Sequence, residues 1–103
     1  MSDYVDKNII IAIMPTEEDK EKLKKLGFIL TKYDAYIHPK ENQEFDFSNI
    51  SSDIFIGGYN YRKHKLDKPN NANIKHKKIK ILKCDEKLEY ELIWKEEINA
   101  IYY

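Results

Sequence analysis

Residues 7–27 read Lys-Asn-Ile-Ile-Ile-Ala-Ile-Met-Pro-Thr-Glu-Glu-Asp-Lys-Glu-Lys-Leu-Lys-Lys-Leu-Gly. This stretch decides the fold class, because it places a strand and a helix back to back. Apolar residues fall on both faces of residues 7–14, which predicts a central strand covered on both sides. Pro15 stops it. Thr16 is a good helix N-cap, and Glu17, Glu18 and Asp19 fill a first turn in which the helix dipole favours acids. Lys22, Lys24 and Lys25 fill the last turn, and Gly27 supplies a C-terminal stop. Glu18–Lys22 and Glu21–Lys25 are spaced i, i+4 in the favourable order. The apolar side of this helix holds little beyond Leu23 and Leu26, so it belongs on the surface of a sheet.

Downstream, residues 28–37 resume strand character, with Ile29, Thr31, Tyr33, Ala35 and Ile37 on one face, and His38-Pro39 ends the run. Residues 39–52 read as a long polar loop that carries Phe45, Phe47 and Ile50. A short strand follows at 53–57, with Gly57-Gly58 breaking or bulging it. At the C-terminal end, Ile79 and Ile81 alternate with Lys78 and Lys80. Leu88, Tyr90, Leu92 and Trp94 alternate with Glu89, Glu91 and Ile93. A four-residue turn at 84–87 sets Ile81 opposite Tyr90, Ile79 opposite Leu92 and Lys80 opposite Glu91; a slip of one residue would bury a glutamate. The expected architecture is α+β and a single domain over residues 1–103. One surface helix (about 16–26) packs on an antiparallel or mixed sheet of about five strands, with a C-terminal β-hairpin at about 76–94. The 15–27 connection is long enough for a parallel βαβ unit.

The bulk properties narrow the function classes. The chain has 103 residues, one cysteine and an apolar content of 42%. Cys84 alone excludes an internal disulfide and a cysteine-built zinc cage. The longest apolar run, Ile9 to Met14, is far short of a membrane span. The opening Met-Ser-Asp-Tyr shows no leader pattern, which leads to the expectation of a cytoplasmic protein without membrane attachment.

Charge is the most informative feature for function. The chain carries 18 basic and 18 acidic residues, yet residues 61–83 hold nine basic residues and one acid, Asp67, a net of +8. The flanks on either side each net −4. Tyr59-Asn60-Tyr61-Arg62-Lys63-His64-Lys65, continuing through Lys68, Lys75 and Lys77, forms a basic aromatic loop. Lysine and arginine neutralise phosphates or acidic side chains, and tyrosines stack on unpaired bases. Lys78, Lys80 and Lys83 belong to the hairpin instead, beside Glu89 and Glu91. The bland alternative for the rest is a solvated loop.

Phe45 and Phe47, set among Glu41, Glu44, Asp46 and Asp53, offer a second interaction surface of aromatic anchors in a polar rim. They also share parity, so one extended face can bury both, and burial is the favoured alternative. His38, His64, His76 and Cys84 match no common metal spacing, and no cofactor or metal is expected. A metal-independent ribonuclease built on His64 or His76 has the residue types but no spacing signal.

The expected function is a non-catalytic binding protein, an inhibitor or immunity-type factor acting on a protein partner, as a monomer or homodimer. The partner class suggested by size and charge is a nuclease or a nucleoprotein defence complex. A nucleic-acid-binding module using loop 59–77 is the alternative, and the ribonuclease is the second.

Overall fold

The computed structural model describes residues 5–60, 62, 65–67, 73–84 and 88–93. The chain forms β1 (Val5–Ile13), α1 (Glu17–Lys25), β2 (Ile29–Leu30), β3 (Ala35–Ile37), β4 (Glu44–Asp46), β5 (Asp53–Asn60), β6 (Lys65–Asp67), β7 (Lys78–Lys83) and β8 (Glu89–Leu92). Five strands make one sheet in the order β2-β3-β1-β5-β6, and three make a second in the order β4-β7-β8. With one helix against antiparallel sheets, the fold is α+β. Among the described residues no helix is long and apolar enough to cross a membrane.

β1 is the central strand that its composition predicts. Ile9, Ile10, Ile11 and Ala12 are all fully buried. Ile10 and Ala12 face the main core, and Ile9 and Ile11 form a smaller cluster on the other face with Ile13, Tyr36 and Phe55. The helix also follows its signals. The Thr16 hydroxyl accepts from the Asp19 N–H at 3.1 Å. Gly27 adopts φ +100°, a conformation that side chains resist, and an added Cβ would lie 3.3 Å from Ile37 Cδ1. The Glu18–Lys22 pair closes at 3.4 Å.

Residues 28–37 do not form one strand. A turn over Thr31–Asp34 splits them into β2 and β3. The Thr31 hydroxyl donates to the Asp34 carbonyl and accepts from the Asp34 N–H, each at 2.9 Å. Asp34 Oδ1 in turn accepts from the Met14 N–H at 3.2 Å. The turn folds the segment back and resets its alternation, so Ile29 pairs with Tyr36 and Leu30 with Ala35. It also settles the sheet direction. β3, not β2, lies beside β1, and it runs antiparallel to it. β1 and β2, each antiparallel to β3, run parallel to one another, so β1-α1-β2 is a βαβ unit split by β3, which the hairpin return places between them.

The 39–52 segment is a connection with a strand inside it. β4 pairs with β7 through Phe45–Ile79, flanked by Glu44–Lys80 and Asp46–Lys78. The C-terminal hairpin has the expected register at Ile79–Leu92, Lys80–Glu91 and Ile81–Tyr90. Beyond Ile81 a bulge shifts the pairing by one residue, so Lys83 faces Glu89 rather than Leu88. Trp94 lies outside the described residues.

Both sheets and the helix share one core. Phe28, Phe45 and Phe47 sit at its centre with Leu23, Ile50, Ile54, Ile56, Ile74, Ile79 and Ile81. The Phe45 and Phe47 rings stack with centroids 5.6 Å apart, and Phe28 meets both edge-on at 6.3 and 6.0 Å. Such aromatic contacts add roughly 0.5–1.5 kcal/mol per pair beyond area burial.

Candidate interaction surface

The burial of Phe45 and Phe47 corrects the expectation of a second interaction surface. Both rings are consumed by the core, and neither can anchor a partner in this fold. The reason is the parity noted in the sequence. β4 places 45 on the inner side of the three-stranded sheet, and Phe47 continues that side just beyond the strand.

The described residues of the basic aromatic segment fall in strands and turns rather than in one loop. Tyr59 lies within β5, in register with Asp6 on one side and Leu66 on the other. Lys65 lies within β6, opposite Asn60. Arg62 is exposed in the turn between these strands, where its N–H donates to Asn60 Oδ1 at 3.0 Å. Tyr61, Lys63 and Lys68 lie outside the described residues, as does His64. Gly57, with φ +149°, sits in β5 beside the point where the β1 register shifts between Asp6 and Ile9. It supports a bulge in the sheet, as the paired glycines suggest.

The return of the segment is latched to the start of β5. Lys75 Nζ donates to Asp53 Oδ1 at 3.1 Å, and Asn73 Nδ2 donates to the same oxygen at 2.7 Å. The Lys75 hydrogen bond, then the one from Asn73, hold the Asp53 carboxyl below its ordinary value. The Ile74 N–H donates to the Ile54 carbonyl at 2.7 Å, which ties the backbone as well. Lys75 is therefore engaged within the chain. Lys77 is exposed, and its carbonyl accepts from the Phe47 N–H.

Lys78 and Lys80 stand on the central strand of the second sheet between acidic neighbours. Glu44 and Glu91 face Lys80 from the two sides, and Asp46 faces Lys78. The Ser48 hydroxyl and N–H hold the Asp46 carboxyl low, with Lys78 adding to the effect. The other residues with reactive groups make local contacts. His76 Nδ1 lies 3.1 Å from the Ser48 carbonyl. The Cys84 thiol donates to the Pro39 carbonyl at 3.0 Å. The His38 ring meets Tyr36 edge-on.

The surface that the structure does assemble is apolar and lies on the far edge of the five-stranded sheet. Four large hydrophobic side chains are exposed among the described residues, and three of them lie in or beside the β2–β3 hairpin: Met14 at 73%, Tyr33 at 54% and Ile29 at 53%. Ile29 is in β2, Tyr33 is in the β2–β3 turn, and Met14 is hydrogen-bonded to that turn through Asp34. Lys32 Nζ lies 5.3 Å from the centre of the Tyr33 ring. The strands run a row of side chains in register across this face: Ile29, Tyr36, Ile11 and Phe55. Ile11 is buried, Tyr36 and Phe55 are half-buried, and Ile29 is exposed. The row continues the interior cluster out to the sheet edge.

Sequence reasoning missed Ile29, Tyr33 and Met14 as surface residues. The available signal was Asp34, a carboxylate in an otherwise alternating apolar run, three residues after a threonine that can close a turn. Reasoning also missed a buried carboxylate. Asp19 is 2% exposed. Its Oδ2 accepts from the Ser52 hydroxyl at 2.6 Å, the Ser51 hydroxyl at 2.7 Å and the Ser52 N–H at 3.0 Å. Burial pushes this carboxyl up, but the bonds from Ser52, Ser51 and Thr16 outweigh burial and bring it to about 2, against an ordinary 3.8. The arrangement clasps α1 to the entry of β5.

No protein-family model, curated protein or solved structure matches this chain.

Proposed function

We propose that this chain is a non-catalytic binding protein, an inhibitor or immunity-type factor, that engages a protein partner through the β2–β3 edge. The observation that carries the reading is the exposure of Met14, Ile29 and Tyr33 in and beside the β2–β3 hairpin. Apolar and aromatic anchors with a charged surround match the anatomy of protein-binding hot spots. A partner of the nuclease or nucleoprotein-complex class is the proposal that chain size and segregated charge suggest by analogy. Arg62 and Lys77, both exposed, keep a nucleic-acid contact as the second reading.

Affinity capture from nuclease-treated and untreated extracts tests both. The wild-type chain retains a partner after nuclease treatment, and Ile29→Lys and Tyr33→Ala lose it while keeping the wild-type circular dichroism spectrum. Equal retention by all three proteins would overturn the edge reading. Loss of all retained material on nuclease treatment would transfer the function to nucleic acid.

A further inference from the structure

The two outer strands of the five-stranded sheet are finished differently. β6 carries Lys65 and Asp67. Charged residues on an edge strand discourage the addition of another strand. β2 carries no charge at all: its two residues are Ile29 and Leu30. The Thr31 N–H donates to the Asp34 carbonyl at 2.7 Å. Counting back through the β2–β3 register makes Leu30–Ala35 a non-hydrogen-bonded pair. The Leu30 N–H and C=O therefore point away from β3, toward the side on which no described strand pairs.

Charge selects what fits there. In the helix that leads toward β2, Glu17 and Glu18 are taken by Lys20 and Lys22. Asp19 and Asp34 are buried and hydrogen-bonded. On the segments that lead into and out of β2, Lys24, Lys25 and Lys32 are exposed, against Glu21. The charge left over near the edge is basic. A second copy of the chain would bring these lysines together, and like charges facing across an interface disfavour it.

We infer that the β2 edge accepts an extended, acidic segment of a protein partner, added as a strand beside Leu30, with apolar side chains of that segment resting on Ile29 and Tyr33. This is strand addition, in which main-chain hydrogen bonds give affinity and alternate side chains give selectivity. It rests on the protein-partner reading above and names the chemistry of the partner.

The test uses a fluorescein-labelled peptide alternating valine and glutamate, and its valine–lysine counterpart, with the full chain. The acidic peptide binds saturably by fluorescence anisotropy, and the basic one at least about tenfold more weakly. Added salt weakens the acidic complex. Backbone amide shifts centre on residues 29–34, and Ile29→Lys lowers affinity by about tenfold. Equal affinity for both peptides, no saturable binding, or shifts centred on 65–67 would each overturn the inference. Self-association in sedimentation that Ile29→Lys abolishes would also overturn it, by giving the edge to a second copy. If Ile29→Lys loses a captured partner while the acidic peptide fails to bind, strand addition falls and the protein-partner reading stands.

Discussion

Asp19 shows how a residue suited to a helix terminus is given a second task. Its own N–H donates to the Thr16 cap, while its carboxylate collects the Ser51 and Ser52 donors. The sign of its pH effect follows from the shift. The folded carboxyl titrates at about 2 and the free one at 3.8, so its contribution is fully present above pH 4 and lost as pH falls toward 2. Its size is about 2 kcal/mol. Urea unfolding at pH 6 and pH 2.5 should show this loss in the wild type, and Asp19→Asn should show a smaller pH dependence over that window. Phe47 belongs to the same scale. It is fully buried, between Phe28 and Phe45. Phe47→Ala should cost about 3–5 kcal/mol in chemical denaturation. A loss under 1 kcal/mol would mean that the ring is not part of the core.

At the scale of elements, the second sheet is held by a charge pattern as well as by its apolar face. Lys80 stands between Glu44 and Glu91 on adjacent strands. Lys80→Glu should destabilise the protein by about 1 kcal/mol, and adding Glu44→Lys should recover part of it. Thermal denaturation of the single and double variants measures both. The hairpin register around this residue was legible in the sequence, because four alternating residues on each side leave one pairing that buries no glutamate. The bulge at Lys83 was not legible, since nothing in the alternation marks an extra residue. The β2–β3 hairpin, marked in the sequence by Thr31 and Asp34 alone, was obscured for a related reason. Its turn, Thr31-Lys32-Tyr33-Asp34, contains neither glycine nor proline, and its length preserves the apparent alternation of a single strand. β4 was hidden by its brevity; only its pairing with β7 makes it a strand. α1 was legible from its caps and charges. The clasp through Asp19 was not, because Ser51 and Ser52 approach it only in the folded chain.

For the whole molecule, the balance of charge is resolved in space rather than along the chain. Lys75 is tied to Asp53, and Lys78 and Lys80 face Asp46, Glu44 and Glu91. The basic stretch is thus partly matched by Glu44, Asp46 and Asp53, acids that precede it, which sequence order alone does not reveal. A consequence is measurable on immobilised heparin. Lys77→Ala should lower the salt needed for elution more than Lys75→Ala does, because Lys77 is exposed while Lys75 is already held. The reverse order would mean that the Asp53 latch opens in solution. The candidate surface was the least legible part of the molecule. The apolar residues that form it look, in sequence, like strand interior, and only the turn at residues 31–34 brings them to an edge.

The strand order also governs how the chain reaches this state. β1 pairs with β5 across the intervening helix, hairpin and β4, and β4 pairs with β7 across β5 and β6. Ile10 meets Ile56, and Phe45 meets Ile79, across long stretches of sequence. Closing such loops loses chain entropy before any core contact returns it. Refolding should therefore fall in the milliseconds-to-seconds class of domains dominated by distant pairings. During synthesis, the apolar strand at the N-terminal end emerges well before the partner that covers it, so the nascent chain holds an exposed run of isoleucines until β5 arrives.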